Sequence, residues 1–452
     1  MRLVHPLRFA FVVALTGLIL PAAARSAEAT PITHIVIVVQ ENRTFDNLFN
    51  GYPGANSRRY GFDSKGAKIV LHPAGLATKY DLDHSHAGFE TEWADGKLDG
   101  FDLEKSSGMS FADNAYGYVP YDEVKPYWDL AAEFTLSDEF FQTNEGPSFP
   151  AHQFLIAGQS GHFSKTNPQP LDGRDLGPLA MAENIGDLAV SSQAGCDSAA
   201  AGAKVRTIDQ SLVDDPQPST ETGSPLVSPC VNYATILDEL DAKGLTWNYY
   251  VPTYGVLWDA PDAISHIRYK PALWKNVVVP ETSVFADIAL GKLAAVSYVI
   301  PRATLSDHAD ITTNGGPDWV ASVVNAVGES AYWKNTIVVV TWDDWGGWYD
   351  HVAPPIRTAY SDGFRVPALV ISPYAKKSYV SHTERDFGAI LHLIETNFGL
   401  PSLGESDRYN DSFADCFDFG KPARPYVPIA ANGMTPALLL RLPPETTPID
   451  SD

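Results

Sequence analysis

The chain is poor in cysteine, in basic residues and in long apolar runs, and each shortage excludes something. Three cysteines in 452 residues, Cys196, Cys230 and Cys416, fall in no metal-binding spacing, which excludes a zinc finger or ribbon. Cys196 and Cys230 bracket a loop-like stretch; an oxidising compartment would let them pair, leaving Cys416 free, and a reducing one would not. Lys and Arg number 32 against 55 Asp and Glu, a net charge of −23. Such a chain repels nucleic-acid backbones and offers no basic patch for anionic lipid, so nucleic acid is excluded as a partner and contact with membrane lipid is at most transient. An anionic substrate must be drawn in locally, by a metal or by a few Arg, Lys and His. The apolar run Phe9 to Leu20 is twelve residues, too short to span a bilayer. With Arg2 and Arg8 around its start and small residues at Ala27 and Ala29 after it, residues 1–29 read as an export signal. The mature chain is expected in the periplasm or secreted. Loss of Arg2, Arg8, Arg25 and Glu28 moves the net charge from −23 to −25, that is 29 basic against 54 acidic residues.

What is present is a regular alternation. Ile35–Val39 is a continuous apolar run that reads as a buried strand, and so do segments within 134–141, 294–301, 335–342 and 365–375. Helical patterns lie between and after them: 123–133, a segment from Pro150, the stretch closed by Gly244, 317–330 and 386–400. This predicts an α/β fold, a central largely parallel or mixed sheet with helices on both faces. Residues 30–425 form the expected catalytic domain, with an irregular surface insertion near 165–230 and a Pro-rich tail over 426–452 that wraps the surface or stays loose. No internal repeat occurs.

In such sheets sites form at the carboxyl ends of strands. Glu41 and Asn42 follow the first strand, Asp307 and His308 another, Asp343 and Asp344 a third, and Ser148 follows a fourth a few residues on. Glu41 and Asn42 offer oxygen ligands to a hard or borderline cation; Asn42 is equally suited to cap a helix starting at Arg43. Asp343 and Asp344 are adjacent like charges that call for compensation, or simply a turn before Gly346-Gly347. Asp350 and His351 in the same loop offer a further ligand or a proton donor. Ser148 stands at the head of the helix that contains Pro150, as an activated nucleophile or as a plain cap; Thr143 is its rival. His84 and His86 sit in a polar loop. "GQSGH", 158–162, ends in His162 where a serine-hydrolase elbow has Gly, and that reading is set aside.

Together these pieces resemble a bacterial phosphoesterase family that holds non-haemolytic-type phospholipases C and a group of acid phosphatases. "ENRTFDNLF", "HSHAGFETEWADGKLDGF", "DEFFQTNEGPSFPAHQF", "LSDHAD", "TWDDWGGWYDHV" and "VSHTERDFGAILHLIETNFGL" occur in that family's order. The resemblance implies an alkaline-phosphatase-like core, one divalent metal ion held by Glu41, Asn42, Asp343 and Asp344, and Ser148 as nucleophile. His84 matches a histidine fifteen residues before the "DGF" triplet, and Asp307 with His308 an Asp/His pair near the phosphate; the expected mechanism puts His84 on the phosphoryl oxygens and has His308, oriented by Asp307, protonate the leaving alcohol, with His351 in reserve. Four positions depart from the family pattern: Asp344 is usually Glu, Trp345 and Phe387 stand where His is common, and "SFPAH" replaces a Gln-Pro-Asn run. The expected substrate is a phosphate ester, cleaved as by a phospholipase C or, alternatively, as by a broad phosphomonoesterase. A non-catalytic exported binding protein is the reading of another class, against which the full set of site residues argues. Trp93, Trp345, Trp348 and Tyr349 are candidates for an aromatic cage around a choline.

Overall fold

The computed structural model describes Met1 and residues 30–106, 109–110, 114–161, 179–181, 194–199, 204–209, 226–355 and 362–445. The expected export signal and most of the 165–230 insertion lie outside the described residues. The chain divides into units 1–30 and 31–452, and the sheet, the helices and the site all belong to the second.

Eight strands make one sheet: β1 (His34–Gln40), β2 (Thr135–Ser137), β3 (Trp247–Tyr250), β4 (Val277–Val278), β5 (Val296–Val299), β6 (Thr336–Trp342), β7 (Ala368–Ile371) and β8 (Tyr379–Ser381). Their order is β4-β3-β5-β1-β6-β7-β2-β8. All neighbours are parallel except around β7, which is antiparallel to both β6 and β2. Among the described residues no helix lies between β6 and β7, so the chain returns without the crossover that a parallel pair requires. Every residue of β6 is buried, as in a sheet covered on both faces. The strand expected over 134–141 is broken: β2 stays in the sheet, while Phe140–Phe141 pairs with Arg385–Asp386 outside it.

Seven helices frame the sheet and the site: α1 (Phe45–Leu48), α2 (His86–Trp93), α3 (Tyr121–Glu133), α4 (Ser148–Ala157), α5 (Ile236–Lys243), α6 (Gly316–Gly328) and α7 (Gly388–Phe398). They flank the sheet in two groups, α3 with α6 and α4 with α5 and α7. All ten residues of α4 are buried, and Gly158 ends it at φ +67°, a conformation glycine adopts without strain. The tail wraps: Tyr426 Oη donates to Asn325 Oδ1 at 2.7 Å, and Ser322 Oγ on α6 donates to the Met434 carbonyl at 2.7 Å. Cys196 and Cys230 are disulfide-bonded, and Cys416 is a buried free thiol. No helix among the described residues is long and apolar enough to cross a membrane.

Candidate active site

The central strands bring the predicted residues together. Val38 is level with Val299 across β1–β5, and Gln40 with Trp342 across β1–β6, so the chain leaves three neighbouring strands at one edge. Backbone bonds lock the exits: Glu41 N–H donates to the Ser306 carbonyl at 2.8 Å and Asp343 N–H to the Gln40 carbonyl at 2.9 Å.

Asn42 has φ +57°, a left-handed conformation that asparagine tolerates. It is not a helix cap: Thr44 caps α1. Its N–H donates to Asp343 Oδ1 at 3.1 Å. His84 Nδ1 lies 2.7 Å from the Leu82 carbonyl, which can only accept, so Nδ1 carries the proton. His84 Nε2, 2.9 Å away, then accepts from the Asn42 amide. That bond fixes the amide and leaves Asn42 Oδ1 buried with no hydrogen-bond partner among the described residues.

Ser148 is the first residue of α4, and Pro147 holds the cap position. Its hydroxyl donates to Asp344 Oδ2 at 3.0 Å, while Asp344 Oδ1 accepts from Gly346 N–H at 2.8 Å. Four residues on, one helical turn along the same face, stands a residue that sequence reasoning missed. His152 is fully buried, with Nε2 3.2 Å from Glu41 Oε1 and 3.5 Å from Asp343 Oδ2. The spacing from Ser148 was its only signal. Burial works to raise the Asp343 pKa, but His152, Glu41 and Ser148 outweigh it and hold the carboxyl below its ordinary value.

Glu41, Asp343 and Asp344 are thus three fully buried carboxylates beside one imidazole and one orphaned amide oxygen. Burying that much negative charge is costly without a compensating cation, and carboxylate and amide oxygens are what a dication takes. The residues present fit a metal. A second group, Asp81, His84 and His308, also brings three ligand atoms within 4.8 Å of one another.

Two expectations are corrected. His308 is not oriented by Asp307: its Nδ1 lies 2.6 Å from the Ala309 carbonyl. The Asp307 carboxylate instead accepts from Tyr127 Oη at 2.6 Å and Trp342 Nε1 at 3.2 Å, and burial pushes its pKa up to about 6. His351 is engaged elsewhere. Its Nδ1 meets Asp46, its Nε2 lies 3.0 Å from Asn56 Oδ1, and Asp350 beside it pairs with buried Arg365 at 2.9 Å. Both ring nitrogens are thus engaged with Asp46 and Asn56.

The sequence profile of the phosphoesterase family matches residues 32–401. The chain belongs to the phosphoesterase family. It is a hydrolase of phosphoester bonds. It is similar to phospholipase C B of Mycobacterium tuberculosis, 25% identical over 88% of this chain and 80% of the relative. It is also similar to a non-hemolytic phospholipase C of Burkholderia pseudomallei, 23% identical over 87% of this chain, which spans only 58% of that protein's length. Among solved structures, a Vibrio parahaemolyticus protein of the alkaline phosphatase superfamily matches 84% of the chain and 71% of its own at 12% identity, with a TM-score of 0.38, a likeness too loose to carry weight.

In this phosphoesterase the four candidate aromatics are spent in packing. Trp345, Trp348 and Tyr349 are core residues. Trp345 Nε1 donates to Glu92, the Arg43 guanidinium covers Trp348 at 4.7 Å, and Trp93 stacks on Phe89.

Proposed function

We propose that this phosphoesterase is an exported, metal-dependent phosphodiesterase of the phospholipase C type, with Ser148 as its nucleophile. The observation that carries the reading is the Ser148 hydroxyl at the head of α4, 3.0 Å from Asp344 within a group of buried carboxylates. Relatives named phospholipase C, aligned over 87–88% of the chain, favour the diester as substrate.

A dication held by Glu41, Asn42, Asp343 and Asp344 supplies positive charge that eases ionisation of a hydroxyl and offsets that of a phosphate. Ser148 Oγ gives its proton to Asp344 Oδ2, 3.0 Å away, and attacks phosphorus, forming the Oγ–P bond as the bond to the lipid alcohol breaks. Asp344 directs the hydroxyl. The first N–H groups of α4 point where phosphoryl oxygens gather charge. His308, with Nδ1–H committed to the Ala309 carbonyl, uses Nε2 to protonate the departing oxygen. Water then attacks, giving a proton back to His308, and the Oγ–P bond breaks as Oγ takes its hydrogen back from Asp344. His84 acts through Asn42 by holding its amide.

The test is hydrolysis of p-nitrophenylphosphorylcholine, bis-p-nitrophenyl phosphate and p-nitrophenyl phosphate by the mature protein and its Ser148→Ala variant, with and without added dications. Metal-dependent turnover of the diesters, lost in the variant by roughly three orders of magnitude or more, is expected. Preference for the monoester would instead make the protein a phosphatase. Turnover unchanged in the variant would remove Ser148 from its role.

A further inference from the structure

Three groups outside the assigned roles gather charged or titratable side chains: the Asp46–Asp350–His351–Arg365 network, the Asp197–Asp262–Arg268 group beside the disulfide, and His152 with its neighbours. The first two are closed by their own ion pairs. His152 is different, because its imidazole faces two carboxylates at the proposed metal site.

The direction of its hydrogen bonds decides which nitrogen is available. Tyr249 Oη donates to the Trp258 carbonyl at 2.7 Å. Its oxygen can therefore only accept from His152 Nδ1, 3.4 Å away, and Nδ1 carries the proton. Nε2 is left facing Glu41 Oε1 at 3.2 Å and Asp343 Oδ2 at 3.5 Å. Without an ion, Nε2 is placed to share a proton with these carboxylates; a bound dication would displace that proton and take the nitrogen's lone pair. The three atoms lie within 4.8 Å of one another and all three residues are buried. Ligands that each sit about 2.0–2.2 Å from one ion stand about 3.0–3.5 Å apart, the spacing seen for these pairs. A ligating histidine commonly donates its other N–H to an oxygen that holds the ring, the role Tyr249 fills.

Resting on the metal-dependent reading above, we propose that His152 Nε2 is itself a ligand, and that this nitrogen makes the site selective for a borderline dication such as zinc or cobalt over calcium or magnesium. Calcium and magnesium take oxygen ligands, whereas imidazole suits zinc and its neighbours.

The experiment uses the full mature chain stripped of metal. Co²⁺ binding is followed by its visible spectrum, and Zn²⁺, Ca²⁺ and Mg²⁺ affinities are measured by competition, in the wild type and in His152→Gln and His152→Cys. The expected result is zinc affinity at least about 100-fold above that for calcium, a loss of about 10–100-fold in zinc affinity in His152→Gln, and a thiolate–cobalt band in His152→Cys. Calcium affinity should change little. A wild type that binds calcium as tightly as zinc would overturn the inference even if no variant folds, while leaving metal dependence intact. An unchanged cobalt spectrum and unchanged zinc affinity in a folded His152→Gln would also overturn it. Loss of all dication binding in the wild type would sink the metal-dependent reading too, whereas failure of Ser148→Ala to lower turnover would touch only the nucleophile.

Discussion

At the scale of single residues, the site depends on side chains held by other side chains. Asn42 can offer its oxygen inward because His84 accepts from its nitrogen, and His84 can accept because Leu82 fixes its other proton. His84→Ala should therefore weaken metal binding by about 10–100-fold without removing a ligand, read by metal analysis after dialysis. Unchanged affinity would mean that the ring does not orient the amide. Glu41→Ala and Asp343→Ala should each abolish both metal content and turnover; full retention of both in the two variants would contradict the site. Glu41, Asn42, Asp343 and Asp344 could be singled out because they follow strand ends, where polarity after an apolar run is unusual, and Ser148 because it heads a helix. His152 was not, since it lies inside a wholly buried helix and looks like a core histidine until its neighbours are known.

At the scale of elements, the loop after β6 is shaped by backbone. Gly346 has φ +60°, and a Cβ there would stand 2.4 Å from the Asn42 carbonyl oxygen. Gly346→Ala is expected to cost about 1 kcal/mol or more in stability and to lower metal content, because either Asn42 or Asp344 must move. Thermal unfolding and metal analysis check it; an alanine variant with wild-type values of both would show that the loop is free to shift. The same turn sets where His351 goes. It is close to Asp344 along the chain, but two successive left-handed glycines carry the loop away to Asp46 and Asn56. Strand existence was readable from apolar runs. The reversed direction of β7 was not, because its composition matches that of a parallel strand.

At the scale of the whole molecule, a disulfide links Cys196 to Cys230. The Cys196–Cys230 bridge spans 34 residues, and by the chain-entropy argument its removal should cost about 2–4 kcal/mol. Replacing both cysteines by serine should lower the unfolding midpoint while leaving turnover near the wild-type value. Next to it, burial pushes the Asp262 carboxyl up to about 7, despite the pairing with Arg268 at 3.0 Å. The folded protein therefore holds this proton more tightly than the unfolded chain does. Stability from this group is greatest in acid and is lost as pH rises from about 4, the ordinary carboxylate range, through about 7. Asp262→Asn should flatten that part of the stability–pH curve, measured by denaturant titration; an unchanged slope would assign it to other carboxyls. Export belongs at this scale too: protein recovered from the periplasm or medium should begin at Thr30.

The central claim is a covalent route through Ser148, and the stereochemistry at phosphorus tests it most directly. A diester made chiral at phosphorus with sulfur and hydrolysed in ¹⁸O water undergoes two in-line displacements if serine attacks first. Net retention of configuration is expected. Net inversion would mean that water attacks the substrate directly, and would contradict the serine nucleophile whatever the fate of the metal site.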